Sequence, residues 1–164
     1  MNSKRSYRKH IAIAVAVSAA IVVSLRPNDS ITTTVIYVSD GDTIQVNTSS
    51  SVFKVRIYGI DCPEKSQPYG PEARSFTTAQ TLGKSVTLRI HDKDRYGRII
   101  ASVKLPNGDD LAESLLKNGL AWWYRQYAPH NWNLSNLEVE ARNKKVGLWS
   151  KESPVPPWIF RAEK

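Results

Sequence analysis

Between residues 53 and 58 apolar and polar side chains alternate without a break, with Phe53, Val55 and Ile57 set against Lys54, Arg56 and Tyr58. A strand turns successive side chains to opposite faces, so this run wants a core on one side and leaves Arg56 on the other. Shorter versions of the pattern occur at Val35 to Val38, at Ile44 and Val46, at Val86, Leu88 and Ile90, and at Ile99, Ala101 and Val103. Strands one to three are close enough in sequence for a meander. Pro71 and Glu72 open a helix that runs to Gly83, with proline at the first helical position and an acid in the first turn.

Asp94 to Arg98 reads as the hairpin loop between strands four and five, with Gly97 placed for a positive φ. Asn107-Gly108 is a turn, and Leu111, Leu115 and Leu116 line a second helix stopped by Gly119. A third helix is expected to start at a capping box formed by Ser135 and Glu138, stapled by Leu134 and Val139, and to end at Gly147. Five strands split by one helix and followed by two more predict an α+β fold, a five-stranded OB-type β-barrel with three packed helices. The 164 residues suffice for one domain, expected over 33–150. A linker over 26–32 precedes it and a Pro-rich tail over 151–164 follows. In that tail Pro154 to Pro157 should form a polyproline strip that docks Trp158 on the chain's own body.

Ahead of the body, Lys4, Arg5, Arg8 and Lys9 lead into fifteen uncharged residues, Ile11 to Leu25. A basic start before a short apolar run is the pattern of a secretory signal, or of an N-terminal membrane anchor if left uncut. As a helix the run would cover roughly 22 Å against a hydrocarbon core of ~30 Å, which favours cleavage. Export to a periplasmic or extracellular space is therefore expected, with membrane association through residues 11–25 as the alternative. The formal charge of +8 is partly this segment's; from residue 26 the balance is 19 basic against 15 acidic residues. That excess suits a polyanion without identifying one. The sole cysteine, Cys62, excludes an internal disulfide, and its place beside Asp61 disfavours a thiolate nucleophile.

The chemistry concentrates at strand ends. Asp40-Gly41-Asp42-Thr43 opens the second strand, Arg56 lies on the third, and Asp61-Cys62-Pro63-Glu64 follows it. If those strands are neighbours, carboxylates and a guanidinium converge on one rim, which suits a hard divalent cation and a phosphate. Zinc would call for histidine or thiolate donors that the cluster lacks. Read singly, Asp-Gly is a turn and Asp-x-Pro-Glu a helix start; the combination is what points to chemistry. His91 and His130 are expected to be a solvated strand residue and a loop residue, and Trp122 and Trp123 core aromatics.

These motifs, with Gly59-Ile60 before Asp61, Tyr69-Gly70-Pro71-Glu72-Ala73, Tyr96-Gly97-Arg98, Asn118-Gly119-Leu120-Ala121 and Gly147-Leu148-Trp149, resemble the staphylococcal nuclease (thermonuclease) family in order and spacing from Val35 to Trp149. The resemblance implies Ca²⁺ held by Asp42, Asp61 and the backbone carbonyl of Cys62, with Asp40 behind them. It implies Glu64 as general base, Arg56 and Arg98 as the phosphate-gripping arginines, and Tyr127 as a nucleotide contact. Arg125 stands where the family's other nucleotide-contacting tyrosine would be, and the loop before Tyr96 is shorter than in the family's prototype. The activity implied is a Ca²⁺-dependent phosphodiesterase acting as an endonuclease on DNA and RNA and leaving 3′-phosphate ends, monomeric and without an obligate protein partner. The alternative is a non-catalytic module of the same fold that binds nucleic acid or a protein partner.

Overall fold

The computed structural model describes residues 26–49 and 51–163. Five strands form a closed barrel in the order β1-β2-β3-β6-β5: β1 Ser30–Asp40, β2 Thr43–Asn47, β3 Val52–Ile57, β5 Ser85–Lys93 and β6 Ile99–Lys104. Neighbours are antiparallel except β3 and β6, which run parallel with Val55 beside Ile99 and Ile57 beside Ala101. A separate two-stranded pair joins β4, Ile60–Asp61, to β7, Trp122–Trp123. Three helices pack on this frame, α1 Gly70–Thr81, α2 Leu111–Lys117 and α3 Trp132–Asn143, the last followed by a 3₁₀ turn at Gly147–Ser150. The OB-type barrel with three packed helices is thus the architecture the alternation calls for. A short fourth helix, α4 Pro157–Ala162, closes the described chain.

The barrel interior is filled by the inward halves of the strands: Val35, Ile44, Val46, Val55, Val86, Leu88, Ala101 and Val103 are fully buried or nearly so. β1 departs from simple alternation. Its register with β2 shifts between Val35 and Tyr37 and again between Val38 and Asp40. The first shift lets Val35 and Val38 both face inward while Ile36 and Tyr37 both face out. Bulges of this kind bend a strand and re-aim the chain beyond the bend, here the turn that carries Asp40 and Asp42.

Two helix starts differ in instructive ways. Asp110 caps α2 as its position suggests, accepting from the Ala112 and Glu113 amides at 2.8 and 3.3 Å. The capping box expected at Ser135 does not form, because Asn131 caps α3 one turn earlier through Oδ1 and the Leu134 amide, 3.3 Å apart. Glu138 is left nearly buried in mid-helix, accepting from the Trp123 amide at 3.2 Å and pairing with Arg142 at 3.4 Å. It ties α3 to β7 instead of closing a helix end. His91 is on a strand as expected but is not solvated: it stacks on Tyr58 with ring centroids 3.9 Å apart and shares a 2.8 Å hydrogen bond with the Ser102 hydroxyl.

Among the described residues no helix is long and apolar enough to cross a membrane. This corrects the expected membrane association, and the expected export to a periplasmic or extracellular space has no support in the structure. The apolar run that prompted both, residues 11–25, lies outside the described residues.

Candidate active site

Three features of the fold bring the acidic motifs together. The β1–β2 turn is pressed against α1 and β4: a Cβ on Gly41 would stand 2.7 Å from the Ala73 Cβ and 2.8 Å from the Cys62 side chain, so only glycine fits. Thr77, fully buried on α1, donates to the Gly41 carbonyl at 2.6 Å and fixes the turn. β4 hangs on β7, with Asp61 opposite Trp122. β3 is paired along β2, with Arg56 opposite Thr43. The turn, the short strand and the arginine therefore meet on one rim.

Asp42 and Asp61 are almost wholly buried, 6 % and 1 % exposed. Arg56 lies between them, its Nη1 against Asp42 Oδ2 and its Nη2 donating to Asp61 Oδ1 at 2.7 Å. Asp42 also accepts from the Cys62 amide at 2.7 Å and the Thr43 hydroxyl at 3.1 Å. Asp40 sits behind this pair with its Oδ1 buried and without a hydrogen-bond partner. Burial, and then the charge of Asp42, raise its pKa to about 6. Burial likewise pushes the Cys62 thiol well up, with Asp42 adding to it, so this cysteine is a packing residue.

Glu64 enters the same rim from the loop after β4. Its amide donates to Gln67 Oε1 at 2.7 Å, and its carbonyl accepts from the Gln67 amide at 2.8 Å. The loop closes so tightly onto the start of α1 that a Cβ on Gly70 would collide with the Glu64 carbonyl oxygen. A side chain not foreseen from the sequence completes the cluster. Arg161 of α4 donates to Asp61 Oδ2 and to Glu64 Oε1, both at 2.8 Å, and to Asp61 Oδ1 at 3.3 Å. The signal for it was weak: Pro157 marks a helix start and Trp158 an anchor, but nothing local ties Arg161 to Asp61, 100 positions earlier.

The remaining candidates take no part in these ion pairs. Arg98 is engaged within its own loop, its Nε donating to Asp94 Oδ2 at 2.7 Å and its guanidinium 5.6 Å from the Tyr96 ring. Asp94 also accepts from the Tyr96 and Arg98 amides, and these contacts with Arg98 hold its pKa down. Gly97 has φ +81, as its loop requires. Tyr127 is exposed and leans on Tyr124 with centroids 4.7 Å apart, while Arg125 is exposed. Trp122 is buried, and Trp123 packs against the barrel core. His130 is an exposed turn residue.

Carboxylate oxygens predominate in the rim, a donor set that fits a hard cation. The Oδ1 of Asp40 is buried without a hydrogen-bond partner, and the pull of Arg56 on this carboxylate is outweighed by burial and by the charge of Asp42. Among the described residues, however, no three His, Cys, Asp or Glu side chains stand as a ready-made metal cage, and guanidinium groups hold Asp42 and Asp61 instead.

A small closed barrel with an arginine between buried aspartates and a glutamate at the lip defines the OB-fold nuclease class. The family profile described as "Staphylococcal nuclease homologue" matches residues 54–151. The chain is 42 % identical over 130 residues to an "Uncharacterized endonuclease" of Escherichia coli, which covers 79 % of this chain and 84 % of that one. It is 32 % identical over 157 residues to a "Micrococcal nuclease" of Shigella flexneri, with 90 % of each chain covered. With a "Staphylococcal-like nuclease CAN1" of Arabidopsis thaliana it shares 40 % identity over 112 residues, 68 % of this chain and 34 % of that protein. The chain belongs to the staphylococcal nuclease family.

Proposed function

We propose that the protein is a Ca²⁺-dependent phosphodiesterase that cleaves DNA and RNA internally and leaves 3′-phosphate ends. The observation that carries this reading is the convergence of Asp42, Asp61, Glu64 and Arg56 on one rim of the barrel. Asp42, Asp61 and the Cys62 carbonyl would hold the ion, with Asp40 adding negative charge behind them. When bound, Ca²⁺ would supply charge stabilisation for the phosphate and a lowered pKa for water. Glu64, 38 % exposed at its side chain, would accept a proton from an attacking water.

Arg98 suits a phosphate because Asp94 takes only its Nε; its two terminal amino groups have no hydrogen-bond partner among the described residues. A guanidinium fork of this kind matches phosphate oxygens and the charge that develops on them in the transition state. Arg56 supplies the second fork from within the carboxylate group. Tyr127 and Arg125, both exposed, would touch a base or sugar, with the guanidinium standing in for a ring. The reading takes the protein as a monomer with no obligate protein partner.

Assays on single- and double-stranded DNA and on RNA, with Ca²⁺, with Mg²⁺ and with chelator, test the proposal. Cleavage is expected with Ca²⁺, less with Mg²⁺ because of its stricter octahedral demand, and none in excess chelator. Full activity in chelator overturns the metal assignment. Nucleic-acid binding with no turnover under any cation would instead favour the non-catalytic module, a reading to which the engagement of Asp61 and Glu64 by Arg161 gives some footing.

A further inference from the structure

The one guanidinium of Arg161 joins Asp61 to Glu64, and it arrives on an element of its own. That element is anchored in three ways. Gln67 Nε2 donates to the Val155 carbonyl at 3.1 Å. Pro156 is extended, with φ −64 and ψ 146, and leads into a buried Pro157. Trp158 lies flat on Tyr124, with centroids 5.5 Å apart at 3°, and edge-on to Trp122 at 5.8 Å. The anchor is incomplete, since a cavity of about 230 Å³ remains beneath the segment, lined by Pro63, Tyr69, Trp122, Leu148, Val155 and Phe160. Arg161 itself keeps 43 % of its side chain exposed.

We propose that residues 154–163 are a cation-responsive latch, in which Arg161 occupies the carboxylate oxygens that a divalent cation would use, so that cation binding and docking of α4 exclude each other. The inference rests on the metal reading of the site and adds how that site is controlled. Arg56 and Arg161 already fill the Asp61 oxygens between them, so a divalent ion coming to coordination distance must displace one of the two, and Arg161 is the more exposed. A compact divalent ion approaching to ~2.4 Å has the advantage over a half-exposed guanidinium at hydrogen-bond distance. With the latch docked, Asp61 is compensated and Glu64 is held in an ion pair. With the cation bound, α4 is released and the Glu64 carboxylate is freed. The coupling is reciprocal: the factor by which docking of α4 weakens the cation is the factor by which the cation weakens docking.

The test is Ca²⁺ calorimetry on the full chain and on Arg161→Gln, paired with backbone hydrogen exchange over 157–163. Arg161→Gln should bind Ca²⁺ about tenfold tighter, within the usual range of such couplings. In the wild type Ca²⁺ should speed exchange across α4; in the variant exchange should be fast already. Trp158→Ala, which weakens the anchor and leaves the guanidinium, should move the affinity in the same direction. Equal or weaker Ca²⁺ binding in Arg161→Gln overturns the latch, as does slower exchange in α4 on adding Ca²⁺. If the wild type binds Ca²⁺ and cleaves while the variant binds no tighter, the latch alone falls. If neither chain binds Ca²⁺, the metal reading falls with it.

Discussion

Arg56 and Arg98 carry the same charge and answer to opposite rules. Arg56 has only 13 % of its side chain exposed and compensates two buried aspartates. Removing one member of a buried pair strands the others, at a cost of ~3–5 kcal/mol. Arg56→Ala should therefore lower the urea midpoint strongly as well as abolish turnover. Arg98 pairs with a single carboxylate at a half-open loop, an arrangement worth ~0–1 kcal/mol. Arg98→Ala should leave the unfolding curve nearly in place while turnover falls by roughly a hundredfold. Glu64→Gln should likewise reduce turnover by ~10² or more with little loss of nucleic-acid binding. Single-turnover rates set beside urea titrations separate the three variants.

Asp40 titrates in the opposite sense to a stabilising carboxylate. Its folded-state pKa of about 6 lies above the ordinary value of 3.8. Between those values the native state binds the proton more tightly than the unfolded chain, so its contribution to stability is full below pH ~4 and is lost as pH rises through 6. Asp40→Asn removes the titration and keeps the shape. In chelator the variant should be more stable than the wild type at pH 7, by on the order of 1–3 kcal/mol, and the gap should close as pH falls toward 4. A gap that persisted at pH 4 would place the effect in packing.

Among the elements, the β1–β2 turn has a narrow tolerance. Gly41→Ala puts a methyl 2.7–2.8 Å from Ala73 and Cys62, neither of which can swing away. The expected result is a loss of ~1–3 kcal/mol, read from thermal unfolding, as for other overpacked sites. Much of this level was legible in the sequence because strands announce themselves by period two, and Val55, Arg56 and Ile57 sit as their alternation says. The acidic rim was legible for the same reason, since each acidic motif closes or opens a recognisable strand. What could not be read locally was competition between caps. Ser135 and Glu138 satisfy a capping pattern, yet Asn131 lies one turn earlier and Glu138 has a better use in meeting the Trp123 amide. His91 looked solvated because alternation assigns it outward, but it says nothing of Tyr58, which rises beside it from beyond β3. Arg161 was hidden by distance along the chain, which no periodicity spans.

At the scale of the whole molecule, the barrel has two kinds of seam. β1, β2 and β3 join through short connections, Asp40 pairing with Thr43 and Asn47 with Val52. β5 and β6 likewise pair as a hairpin, with Lys93 beside Ile99, but the remaining two seams join distant segments: β1 meets β5 with Ser30 beside Arg89, and β3 meets β6 with Val55 beside Ile99. Closing a long loop costs more entropy before any contact rewards it, so non-local pairings set the pace of folding. On a ribosome the meander can form as soon as residue 57 is clear of the exit tunnel, but β3 stays an open edge until β6, more than forty residues later, has been made. A nascent chain halted anywhere between the two would present β3 to its neighbours on the polysome, making translation pauses there the moments when this protein is most exposed to aggregation.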